Sequence, residues 1–212
     1  MRHINIFSQI IMTLKSKKNI LLATIIMSFI IILTSTFFFA EYLSRQNTPK
    51  KISQIIDNIN LVDHTGSKFV SKTLKNQPSL IFFGFTHCPE VCPTTLSQLS
   101  EITERLKSKI MTTNIIFITV DPQRDTQEHL KDYISNFNEN VIGITGGIMD
   151  IKKLADNWGV FFERVSSSKD DYTFNHTATV FMLDKKGNYK GTISWGENEN
   201  SIIQKVVNLS KY

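Results

Sequence analysis

The stretch from Ser79 to Pro93 constrains the fold more than any other part of this 212-residue chain. Ser79-Leu-Ile-Phe-Phe-Gly-Phe85 is a short apolar run of the kind that forms a strand buried on both faces. It leads directly into Thr86-His-Cys-Pro-Glu-Val-Cys-Pro93. Beyond Pro93, the residues Leu96, Leu99, Ile102, Leu106 and Ile110 recur at three- and four-residue steps, the stripe of a helix packed on a sheet. Both cysteines of the chain, Cys88 and Cys92, therefore fall at a strand-to-helix junction. Pro93 suits the first helical position and Cys92 the N-cap before it, where the positive end of the helix dipole favours a thiolate.

Asn114 to Val120 reads as a second buried strand, and a strand-helix-strand order implies a parallel crossover and an α/β architecture. Asp121-Pro122 ends that strand. Leu130, Tyr133, Ile134 and Phe137 mark a further helix with Thr126 near its start, and Val141 to Thr145 a third strand. Gly146-Gly147 is followed by no Lys-Ser/Thr, so it is not a phosphate loop. Ile148, Ile151, Leu154 and Trp158 predict a third helix closed by Gly159. Thr173 to Leu183 and Tyr189 to Ile193 flank Asp184-Lys-Lys-Gly-Asn188 as a β-hairpin, and Ile202, Ile203, Val206 and Val207 mark a closing helix. Nearer the start, Asn60 to Val70 reads as two short strands about a Thr65-Gly66 turn, with His64 an exposed turn residue, while Phe161 and Phe162 are read as core. This order of elements is that of an α/β, thioredoxin-like fold, an inference that leaves function open.

Ile20 to Ala40 carries no charge over 21 residues. As a helix that run is about 31 Å long, matching the roughly 30 Å hydrocarbon core of a bilayer. A single N-terminal transmembrane helix is predicted over 20–40, with a tail at 1–19, a linker at 41–54 and one domain at 55–212. A cleaved signal peptide is the competing reading, although its apolar region is shorter, about 7 to 15 residues. Arg2, Lys15, Lys17 and Lys18 precede the run without an acidic residue, which favours a cytoplasmic or matrix tail and puts the large domain across the membrane. The first 19 residues hold one Arg and mainly Lys. That composition leans towards a bacterial inner membrane with the domain in the periplasm, with the mitochondrial inner membrane facing the intermembrane space as the alternative. Residues 41–212 hold 20 Lys and Arg against 19 Asp and Glu, a net of +1, so no electrostatic case for nucleic acid arises.

Two cysteines alone are compatible with a disulfide, a redox couple or metal ligands. A redox dithiol of the thioredoxin kind has two intervening residues, and here there are three, which lets both sulfurs address a common external point. Copper(I) is soft and satisfied by two or three ligands, whereas structural zinc takes four, so the pair suits copper better. Five histidines are available. His3, His64 and His129 read as solvated surface, and His87, beside Cys88 in an extended approach, is expected to point away. His176, at the start of the apolar strand Thr177 to Leu183, is either structural or a ligand brought beside the cysteine loop.

Gly84-Phe-Thr-His-Cys-Pro-Glu-Val-Cys-Pro93, Asp121-Pro-Gln-Arg-Asp-Thr126, and Tyr172 with His176-Thr177, behind one N-terminal apolar helix, resemble the Sco/SenC family of copper chaperones for cytochrome c oxidase. The likeness spans most of residues 55 to 210. It implies a membrane-anchored thioredoxin-like domain that binds a copper ion through Cys88, Cys92 and His176. It also implies a partner, the dinuclear copper A centre of oxidase subunit II, to which such proteins deliver copper or whose cysteines they reduce. The metallochaperone reading is not enzymatic; a thiol-disulfide oxidoreductase using Cys88 and Cys92 is the alternative. One departure stands out: the family usually has Asp before the histidine, and here it is Asn175. Strand alternation turns residue 175 away from residue 176, so tuned affinity is expected, not loss of binding. The Asp121 to Asp125 turn is read as architectural, Pro fixing the turn and Asp capping a helix, with partner docking or support of the site as the other possibility.

Overall fold

The computed structural model describes residues 24–39, 55–166 and 171–212. The chain divides into two units, Met1–Thr48 and Pro49–Tyr212. In the first, residues 24–39 are helical and every one of them is exposed. Among the described residues no helix is long and apolar enough to cross a membrane. The predicted tail 1–19, the ends of the predicted span at 20–23 and 40, and the linker 41–54 lie outside the described residues.

The second unit is built on a six-stranded sheet. Its strands are β1 (Leu61–Asp63), β2 (Ser79–Gly84), β3 (Asn114–Thr119), β4 (Val141–Gly146), β7 (Thr179–Leu183) and β8 (Tyr189–Ser194), in the order β1-β4-β3-β2-β7-β8. β2, β3 and β4 are parallel; β1, β7 and β8 pair antiparallel at the two sides. Every residue of β2 is buried, the expected consequence of an apolar run with helices on both faces. Ile81, Phe83 and Phe85 point to one layer with Ile151 and Leu154 of α3 (Ile148–Trp158). Leu80 and Phe82 point to the other, with α1 (Val91–Leu106), α2 (Gln127–Ile134) and α4 (Glu199–Leu209). Each fully buried Phe or Leu contributes about 1.5–3 kcal/mol, so this double-sided packing fixes the end of β2 from which the cysteine loop departs.

Several expectations are met closely. Thr126 is the N-cap of α2, accepting from the His129 N–H at 3.2 Å, and Gly159 ends α3 in the left-handed region at φ 67°. Others are corrected. The apolar run read as one strand from Thr173 to Leu183 is two: β6 (Tyr172–His176) pairs with β5 (Phe162–Ser166) in a separate two-stranded sheet, and only β7 joins the main sheet. Phe161 is exposed, so it is not a core residue; Phe162, on β5 outside the main sheet, is half-buried and packs against the edge of the core. Past the Thr65-Gly66 turn there is no second strand, only a Val62–Lys68 bridge. His64 is half-buried, its ring accepting the Gly143 N–H at 3.2 Å while its own backbone N–H donates to Gly143 O at 2.8 Å.

Candidate metal centre

Beyond β2 the chain turns tightly, with Cys88 N–H donating to Phe85 O at 3.2 Å, and α1 then begins at Val91. Cys92 is therefore the second residue of the helix and not its N-cap, a correction to the sequence reading. Proline is tolerated throughout a first turn, where N–H groups have no intrahelical partner, so Pro93 did not fix the start. The N-cap residue, Glu90, makes no side-chain cap. Instead the Cys92 N–H donates to Cys88 Sγ at 3.4 Å, so the sulfur four residues back takes the capping position.

This reverses which sulfur the helix end favours as a thiolate. The Cys88 thiol is pulled down to about 4, first by the hydrogen bond from the Cys92 side chain. Burial opposes this, while the backbone N–H groups of Cys92 and Glu90 assist. Cys92 is fully buried and pushed up, first by donating to Cys88, then by burial and the negative charge beside it. Neither cysteine is in a disulfide; Cys88 is half-buried at the surface and Cys92 lies beneath it. Room for the inner sulfur depends on Gly84: a Cβ there would lie 2.7 Å from both Cys92 Sγ and the Phe117 ring.

His176 is the last residue of β6, opposite Phe162. Its ring lies edge-on to Phe85 at 5.8 Å and to Phe82 at 6.1 Å, and its Nδ1 is 3.2 Å from Thr177 O. A carbonyl only accepts, so Nδ1 carries the proton and the Nε2 lone pair faces Cys92 Sγ at 3.6 Å. Metal-binding histidines are commonly oriented in this way, the second nitrogen donating to a carbonyl. Cys88 Sγ, Cys92 Sγ and a His176 ring nitrogen lie within 4.8 Å of one another. With metal–sulfur and metal–nitrogen bonds of about 2.3 and 2.0 Å, planar three-coordination spaces sulfur from nitrogen by about 3.7 Å and the two sulfurs by about 4.0 Å. The donors present fit a soft ion with little movement.

All three residues singled out in the sequence are thus brought together, whereas His64, His87 and His129 are elsewhere. Asn175 is exposed, and β6 pairs with β5 without a register shift, so it points away from His176 as alternation required.

The Asp121 to Asp125 turn does more than the sequence suggested, and Asp125 is not the helix cap. Its buried carboxylate accepts from Thr86 N–H (3.0 Å), Thr86 hydroxyl (2.5 Å) and Thr119 hydroxyl (2.6 Å), gripping the start of the cysteine loop. Buried Asp121 accepts from Arg124 Nε at 2.5 Å and from the Tyr172 hydroxyl at 3.0 Å. Arg124 also donates to Tyr172 O at 3.0 Å and stacks on its ring, 3.7 Å from the centroid. One turn therefore holds both segments that supply sulfur and nitrogen. Its only sequence signal was two aspartates, an arginine and a proline in five positions; Thr86 and Tyr172, the partners that tie it to the site, are far away in the chain.

Residues 47–211 match the SCO1/SenC family. An SCO2-like protein of Rickettsia prowazekii is 44% identical over 131 residues, 61% of this chain and 64% of that protein, so the match spans a little under two thirds of the relative's length. Among solved structures, Arabidopsis thaliana ScoI with copper bound superposes with a TM-score of 0.69 at 27% identity, over 72% of this chain and 96% of that one. Bradyrhizobium japonicum ScoI with copper bound superposes at 0.64 with 34% identity, over 73% and 96%. With the family match covering most of its length, the paired thiols on the β2–α1 junction and the histidine facing them, this chain is a member of the SCO1/SenC family.

Proposed function

We propose that the protein is a copper chaperone that carries Cu(I) between Cys88, Cys92 and His176 and passes it to the dinuclear copper A centre of cytochrome c oxidase subunit II. The observation that carries this reading is the convergence of two free sulfurs with a bare imidazole nitrogen, 3.6 Å from the inner sulfur. Copper in similar solved proteins supports the choice of metal. Two thiolates and one imidazole form a soft, low-coordinate donor set suited to Cu(I), and the half-exposed Cys88 gives an acceptor a sulfur to displace first. Transfer is then stepwise ligand exchange with no net redox change.

We further propose that residues 20–40 anchor the chain as one transmembrane helix, with 55–212 as the copper-binding domain in the bacterial periplasm. Exposed Ile, Met and Phe side chains throughout residues 24–39 support an apolar surrounding for that segment. The mitochondrial inner membrane, with the domain in the intermembrane space, is the alternative.

One observation favours a second role. A half-exposed thiolate at Cys88 over a buried, protonated Cys92 is the arrangement of an attacking and a resolving thiol, which suits a reductase of the oxidase cysteines. Cu(I) titration of the reduced chain under nitrogen separates the two. A chaperone binds one equivalent and weakens at least about tenfold in His176→Ala. Binding well below one equivalent, or unaffected affinity in the variant beside rapid reduction of an oxidase peptide disulfide, assigns the reductase instead.

A further inference from the structure

Four donor atoms converge on the other side of the cysteine loop, outside the site described above. His87 Nδ1 and His129 Nε2 each lie 3.0 Å from Thr86 Oγ1, which is 2.5 Å from Asp125 Oδ1. His87 Nδ1 is 3.8 Å from the same carboxylate oxygen. The two imidazoles are exposed and lie 5.4 Å apart at 34°, while Asp125 beneath them is buried. One nitrogen from each histidine and a carboxylate oxygen fall within 4.8 Å of one another.

We propose that Thr86, His87, Asp125 and His129 form a second metal site, for a divalent first-row transition cation. Metal–ligand bonds of about 2.1 Å separate neighbouring donors by about 3.0 Å at right angles and about 3.4 Å in a tetrahedron. The observed separations bracket those values. Two imidazoles, a carboxylate and a hydroxyl make a borderline-to-hard set without sulfur. It complements the thiolate site in chemistry: soft Cu(I) prefers the sulfurs, and Cu(II) ranks highest among divalent ions for nitrogen and oxygen donors.

The Thr86 hydroxyl gives its only proton to the carboxylate, so both imidazole N–H groups point at its oxygen when the site is empty. Binding requires each histidine to present a lone pair at the nitrogen nearest Thr86, with its proton on the other ring nitrogen. The hydroxyl keeps its bond to Asp125 and turns a lone pair to the cation. A cation held there ties the residue before Cys88 to the first turn of α2, so the site also braces the cysteine loop.

The test uses the full chain carrying Cys88→Ser, Cys92→Ser and His176→Ala to remove the thiolate site, and His3→Ala to remove the amino-terminal imidazole. Cu(II) is titrated against glycine as competitor and followed by electron paramagnetic resonance. The proposal expects about one Cu(II) per chain, with two imidazole nitrogens in the spectrum. Adding His129→Ala, or separately His87→Gln, weakens binding at least about tenfold at unchanged thermal melting. Absence of Cu(II) retained over glycine, or retained Cu(II) indifferent to both histidine substitutions, overturns it.

Discussion

Asp125 takes both polar hydrogens of Thr86, the backbone N–H at 3.0 Å and the hydroxyl at 2.5 Å, across 39 residues of sequence. Because Cys88 follows two residues later, the carboxylate sets where the outer sulfur begins. Asp125→Ala leaves the half-buried Thr86 N–H and the buried Thr119 hydroxyl without this acceptor. Each orphaned group costs about 1–3 kcal/mol, so a loss of about 3 kcal/mol in chemical unfolding is expected, with Cu(I) affinity reduced at least about tenfold. Unchanged stability would remove the turn from the account.

Gly84→Ala tests the space reserved for the inner sulfur. The added methyl would meet Cys92 Sγ and the Phe117 ring at 2.7 Å, and neither is free to move, since Cys92 is in α1 and Phe117 in β3. Overpacking of this kind costs about 1–3 kcal/mol. Thermal melting reports that loss, and Cu(I) competition reports a weakened site as the sulfur is displaced from His176.

Proton release follows from the asymmetry of the thiols. Cys88 is held down to about 4 and Cys92 is pushed up, so at pH 7 the pair carries one proton, on Cys92. Cu(I) uptake at pH 7 releases about one thiol proton, and affinity falls about tenfold per unit of pH decrease. As pH falls through about 4 Cys88 becomes protonated as well, and the release rises towards two. Calorimetry in buffers of different ionisation enthalpy measures this; release of two at pH 7 contradicts the assignment of the thiolate to Cys88.

Asn175 faces solvent on the strand side opposite His176. Asn175→Asp is expected to change Cu(I) affinity by less than about threefold, a charge effect screened by water. A change of a hundredfold would mean that residue 175 reaches the metal.

The parts of this fold legible in the sequence are those with local causes. Ser79–Phe85 announced a strand buried on both faces because it is uninterruptedly apolar, and Leu96, Leu99 and Ile102 announced α1 by their spacing. The cysteines were legible as a site, and His176 as a candidate through topology and resemblance. Three things were not. The β5–β6 sheet is made of half-exposed strands held by aromatic contacts such as Phe162–Phe174 at 6.2 Å and Phe85–Phe174 at 5.6 Å, which leave no alternation to detect. The start of α1 was misassigned because Pro93 fits any position of a first turn. The bracing role of Asp121, Arg124 and Asp125 rests on Thr86 and Tyr172, partners that no spacing rule connects.

The central claim is that Cys88, Cys92 and His176 share one Cu(I). X-ray absorption at the copper edge of the Cu(I)-loaded full chain tests it most directly. The account predicts two sulfur scatterers and one imidazole nitrogen, the nitrogen vanishing in His176→Ala while both sulfurs remain. A spectrum with two sulfurs alone in the unsubstituted protein, or one unchanged by His176→Ala, contradicts it.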